Sequence, residues 1–143
     1  MGTNPPRLGD PLADDVVVYR AFAVKGYRER HPKRVRAMAY YRPPDHADGI
    51  SLGDSPSSAV AHLSRNFGFC SVTVGRIHGL PYGLKVCPDL DDPGHILLCG
   101  VPCLIANDDE RGRASEIANA LAKISTVESL EHYPPQETPP PLS

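Results

Sequence analysis

Gly49-Ile50-Ser51-Leu52-Gly53-Asp54-Ser55-Pro56-Ser57-Ser58-Ala59-Val60 runs from a short extended piece into the start of a helix. Ser55 is placed to accept from an orphan backbone N–H of the first turn. Pro56 occupies the first helical position, where its missing donor costs nothing. Ala59, Val60 and Leu63 make an apolar stripe, and Gly68 is a natural stop.

Outward from this junction the chain reads mostly as strands. Asp15–Val24 is β-branched and aromatic at most positions, as expected of a strand buried on both faces. Arg34–Tyr41 alternates loosely, with Val35, Ala37, Ala39 and Tyr41 on one face, and reads as a second strand. Beyond the helix, Phe69–Ile77 alternates again and Leu84–Cys87 forms a shorter extended run. The turn Asp91-Asp92-Pro93-Gly94 then leads into the apolar strand His95–Val101. Asp108 or Asp109 is placed to cap a last helix, with Ala114, Ile117, Ala118, Leu121 and Ile124 at helical spacing. Strands and helices do not alternate strictly. The expectation is an α+β single domain with a mixed, mostly antiparallel sheet and two main helices.

Composition bounds the rest. The chain has 143 residues, 41% hydrophobic and 22% charged, with a net charge of −2. That is enough apolar material for one core, and too much for a wholly disordered chain. Of its 16 prolines, three lie in the first eleven residues and five in the last ten. We therefore expect a disordered segment over 1–11, the domain over 12–130 and a Pro-rich disordered tail over 131–143. No stretch has the apolar length of a membrane span, and the first residues lack the apolar core of a secretory signal. Four cysteines without such a signal point to reduced thiols and a cytoplasmic protein.

Charge is unevenly placed. Eight of the 15 basic residues fall between Arg20 and Arg42, against the single acid Glu29. Interleaved with Tyr27, Tyr40 and Tyr41, the stretch 25–42 suits a phosphate-bearing partner, as in a non-catalytic binding module for nucleic acid or a protein. A solvated loop and an edge strand protected by charge accounts for it equally well. The Pro-rich tail or a strand edge offers a third role, in protein interaction. Cys87, His95, Cys99 and Cys103 lack knuckle spacing, and His95 and Cys99 share a predicted strand, where four residues span roughly 13 Å. Core cysteines and no metal are the expectation. No Walker loop, Gly-x-Ser-x-Gly elbow or Gly-x-Gly-x-x-Gly run is present.

One ordered set stands out: Tyr19-Arg20 on a first strand, Tyr40-Tyr41-Arg42 ending an aromatic strand, then Ser51 leading into the helix at Pro56. This resembles the NAD-binding core of the ADP-ribosyltransferase fold, including the RES-type NAD-degrading toxins, over roughly Val16 to Val101. The resemblance implies a NAD-consuming enzyme of the bacterial-toxin kind, a NAD glycohydrolase or an ADP-ribosyltransferase. NAD would be its substrate and a cognate antitoxin or immunity protein its partner. It gives Arg20 a phosphate or ribose contact and Ser51 a ribose-side contact, making these the catalytic candidates. Tyr40 or Tyr41 would stack on nicotinamide and Arg42 would hold the pyrophosphate. Such an enzyme positions NAD and stabilises a cation-like ribose. Where the transferase branch carries a late Glu, this chain reads Asp89-Leu90-Asp91-Asp92-Pro93-Gly94-His95.

Overall fold

The computed structural model describes residues 7–42, 49–102 and 108–134. A six-stranded sheet carries the strands in the order β6 (Lys85–Pro88), β7 (His95–Cys99), β4 (Ile50–Gly53), β1 (Val17–Ala21), β5 (Phe69–Thr73) and β8 (Thr126–Ser129). A separate hairpin joins β2 (Arg28–Arg30) to β3 (Lys33–Val35). The helices are α1 (Pro56–Val60), α2 (Val74–His78) and α3 (Asp108–Ile124), with 3-10 turns at Lys25–Tyr27 and Ala37–Tyr40. The α+β expectation holds. Every strand pairing among the described residues is antiparallel, so the expected mixture of directions is not seen.

Register decides what each face carries, because directly paired residues point the same way and neighbours alternate. Ile50 pairs with Leu98 and Leu52 with Ile96, and all four are buried. They join Val18, Cys70, Val72 and Val86 in a core cluster with Ile117, Ala118 and Leu121 of α3. The opposite face carries Ser51 beside Leu97, Gly53 beside His95, and Tyr19 across from Gly53. α1 crosses that second face. A Cβ on Gly53 would lie 2.3 Å from the Ala59 nitrogen, so glycine is what lets the helix approach the strand.

Local signals were sound where they acted locally. Ser55 Oγ accepts from Ser58 N at 3.1 Å with Pro56 at the helix start, and α3 covers the expected periodic stretch. Other expectations change. The strand foreseen over Arg34–Tyr41 ends at Val35, and Ala37–Tyr40 coils into a 3-10 turn. That turn buries the neighbours Ala39 and Tyr40 together, where a strand with one face to the core would bury only one of them. The first strand contracts to Val17–Ala21, and the first helix stops at Val60, where the i to i+3 bonds Ala61 N to Ser58 O and Leu63 N to Val60 O unwind it. The strand expected to reach Ile77 ends at Thr73 and becomes α2, giving three helices among the described residues where two main ones were expected.

The domain ends also differ. Within the expected disordered segment 1–11, residues 7–11 run beside β6. Leu8 bridges Asp89, Gly9 N donates to Pro88 O at 3.0 Å, and Arg7 pairs with Asp91. Within the tail expected over 131–143, Tyr133 stacks edge-on against Phe69 at 5.2 Å. Buried Asn66 fixes it there, donating to Tyr133 O at 2.8 Å and accepting from Tyr133 N at 2.9 Å. Residues 1–6 and 135–143 lie outside the described residues. No helix of the described residues is long and apolar enough to cross a membrane.

Candidate polyanion-binding surface

The five residues singled out by the resemblance do not share a cleft. Arg20 follows Tyr19 on β1 and so points to the core face, while Ser51 points to the other. Its guanidinium donates to Ala39 O at 2.8 Å and to Ser51 O at 2.9 Å, and lies 5.6 Å from the Tyr27 ring centre. Arg20 thus ties backbone carbonyls together. Tyr40 is fully buried, its hydroxyl shared with Ser125 Oγ at 2.7 Å and Cys70 Sγ at 3.6 Å. Burial pushes its pKa well above the usual phenol value and lifts that of the Cys70 thiol to about 11. No face of the Tyr40 ring is open to nicotinamide. Arg42 donates to Val101 O at 2.7 Å. Ser51 Oγ meets His95 Nε2 at 2.6 Å. Only half-buried Tyr41 lines an open concavity.

That concavity is an open groove of about 990 Å³ between β3, the 3-10 turn Ala37–Tyr40, α3 and β8. Among the described residues its lining holds four cations, Lys33, Arg34, Arg36 and Lys123, and no acid. Arg34 is engaged with Glu29 across the hairpin. Lys33, Arg36 and Lys123 have no ion-pair partner among the described residues. Met38, 47% exposed, and Tyr41 supply apolar surface between them. The hairpin holds the basic side chains out because only Val35 of its β3 strand is buried, leaving Lys33 and Arg34 in solvent.

A smaller concavity of about 290 Å³ opens where β2 meets the chain at residues 65–67 and 130–132. Here Lys25, Arg28 and Arg65 all lie over the Phe67 ring, at 5.9, 5.7 and 5.1 Å from its centre. Arg28 also donates to Phe67 O and Leu130 O, and Arg30 pairs with Glu131. Of the basic run foreseen over 25–42, Lys25, Arg28 and Arg30 line the smaller concavity and Lys33, Arg34 and Arg36 the larger, while Arg42 turns to Val101 O. Sequence reasoning missed that Lys123 and Thr126 close the larger one. Lys123 sits in the last turn of α3, where a cation also suits the helix dipole and so gives no local sign of this second role.

At the far side of the sheet, Asp89, Asp92 and His95 place one donor atom each within 4.8 Å of one another. Asp89 is held below the ordinary carboxylate range by its bonds from His95 and from Asp91 N. Comparison of the chain with protein-family models, curated proteins and solved structures found no match.

Proposed function

We propose that the chain is a binding module for single-stranded nucleic acid, held in the groove lined by Lys33, Arg34, Arg36 and Lys123. The observation that carries this reading is the lining itself, which among the described residues has four cations and no acid in a protein of net charge −2. Such an imbalance favours a phosphate backbone over neutral partners. The groove is far larger than one phosphate, and its cations come from both a hairpin and a helix, so they match a repeating anion. Tyr41 and Met38 give the bases apolar surface to lie on, and a concave strip with such a platform suits a flexible single strand. The second concavity, with Lys25, Arg28 and Arg65 over Phe67, adds further cations beside the same hairpin.

Fluorescence anisotropy with labelled single- and double-stranded oligonucleotides, titrated at several salt concentrations, tests this directly. Tighter binding of the single strand that weakens steeply with salt supports the reading. Binding that ignores salt, or NAD binding in the groove with no oligonucleotide binding, overturns it.

A further inference from the structure

A second site lies three strands away, and it owes nothing to the basic groove. Asp89 follows β6, His95 opens β7 and Ser51 sits in β4, which are three neighbouring strands. His95 Nδ1 meets Asp89 Oδ2 at 2.9 Å, and His95 Nε2 meets Ser51 Oγ at 2.6 Å. The network assigns the tautomer. An ionised Asp89 can only accept, so Nδ1 carries a proton; in the neutral imidazole Nε2 then keeps its lone pair and Ser51 donates. The acid is itself held in place, since its Oδ1 accepts from Asp91 N at 2.9 Å and its side chain is 9% exposed. His95 is anchored through its backbone, which accepts from Asp89 N and donates to Asp92 O, both at 3.0 Å. Nucleophile, base and orienting acid thus stand in the order and at the separations that activate a hydroxyl.

We infer that Ser51 is a nucleophile activated by His95 and oriented by Asp89, and that it takes an acyl group from small activated esters. Ser51 Oγ attacks the ester carbonyl carbon while its proton passes to His95 Nε2. The tetrahedral adduct collapses, the bond to the alcohol oxygen breaks, and His95 returns the proton to the departing alkoxide. Acyl-Ser51 remains. Water, deprotonated by the same nitrogen, then releases the carboxylic acid and restores Ser51. The substrate is small because the relay lies on a sheet face crossed by α1, and the His62 ring stands 6.5 Å from that of His95.

The test uses the full chain with p-nitrophenyl acetate and, separately, a fluorophosphonate probe, followed by intact mass measurement and peptide mapping. The expected result is one adduct, mapped to Ser51 in the wild-type protein. It is absent in Ser51→Ala and slowed roughly 10²- to 10⁴-fold in His95→Ala, the usual worth of a positioned base. Asp89→Asn slows it as well. An adduct on Ser55, Ser57, Ser58 or a lysine in the wild-type map overturns the inference, whatever the variants do. So does the absence of any adduct, an undiminished rate in a folded His95→Ala protein, or labelling abolished by a chelator, which would give Asp89, Asp92 and His95 to a cation instead.

Discussion

Neutralising two groove cations, Lys33→Ala with Lys123→Ala, reports on the proposed function most directly. Four cations line the groove, one from each of Lys33, Arg34, Arg36 and Lys123. If each meets a phosphate of a single strand, the slope of log affinity against log salt is about −0.7 per contact, or about −2.8 in all. Raising salt from 50 to 200 mM then weakens binding about 50-fold. The double variant keeps two contacts, so its slope falls to about −1.4 and the same change costs it only about 7-fold. Arg34 already engages Glu29 and contributes less than a full contact, so the measured wild-type slope falls somewhat short of the four-contact value. Both side chains are exposed, so neither substitution disturbs the core. Anisotropy titrations at four salt concentrations give both slopes. Parallel lines for wild type and double variant would refute the assignment of the groove, even if binding itself were salt-dependent.

Three further outcomes concern the frame that holds these sites. Tyr40→Phe should cost about 1 kcal/mol in urea unfolding, because Ser125 Oγ keeps its bond to Leu121 O and only the buried hydroxyl pairing is lost. A loss several times larger would show that Tyr40 does more than fill the core. Gly53→Ala should destabilise by about 1–3 kcal/mol, since the new methyl meets backbone rather than a movable side chain; an unchanged melting temperature would mean that α1 does not pack on β4 as described. Stability should also decline as pH rises from about 9 toward 11. The folded state keeps the Cys70 proton there while the unfolded thiol loses it, and two pH units of that imbalance amount to about 3 kcal/mol. A flat urea midpoint across that window would contradict the burial of Cys70.

What was legible in the sequence was what neighbours in the chain decide. Ser55 and Pro56 mark a helix start through one turn of backbone, and the α3 stripe repeats within seventeen residues. Arg34–Tyr41 failed because the decisive partner of Tyr40 is Ser125, 85 positions later, and no local alternation encodes that bond. The basic run was visible as charge, yet Lys123 joins it only through the packing of α3 on the 3-10 turn Ala37–Tyr40. Likewise Ser51 and His95 are 44 positions apart and meet only because β4 pairs with β7. Reading by spacing set His95 only against Cys87, Cys99 and Cys103, and nothing along the chain pointed it to Ser51. Strand parity separates the set drawn from the resemblance. An order of motifs along a sequence does not say which face of a sheet each one uses, and a shift of one residue sends Arg20 to the core while Tyr19 shares the Ser51 face.

The same sheet geometry makes the two sites separable. The relay occupies β6, β7 and β4, while the groove opens beside β8, with β1 and β5 between. Three strand spacings place β4 roughly 14 Å from β8, beyond the range at which substitutions usually couple. His95→Ala and Lys123→Ala share no partner, so their effects on unfolding free energy should add to within about 0.5 kcal/mol. Each should also leave the other's readout unchanged, oligonucleotide affinity in the first case and Ser51 acylation in the second. A coupling larger than that, measured by the full double-mutant cycle, would mean that the sheet transmits between its edges. The relay and the groove would then have to be read as parts of one site, with the ester carbonyl or the phosphate chain reaching across β1 and β5.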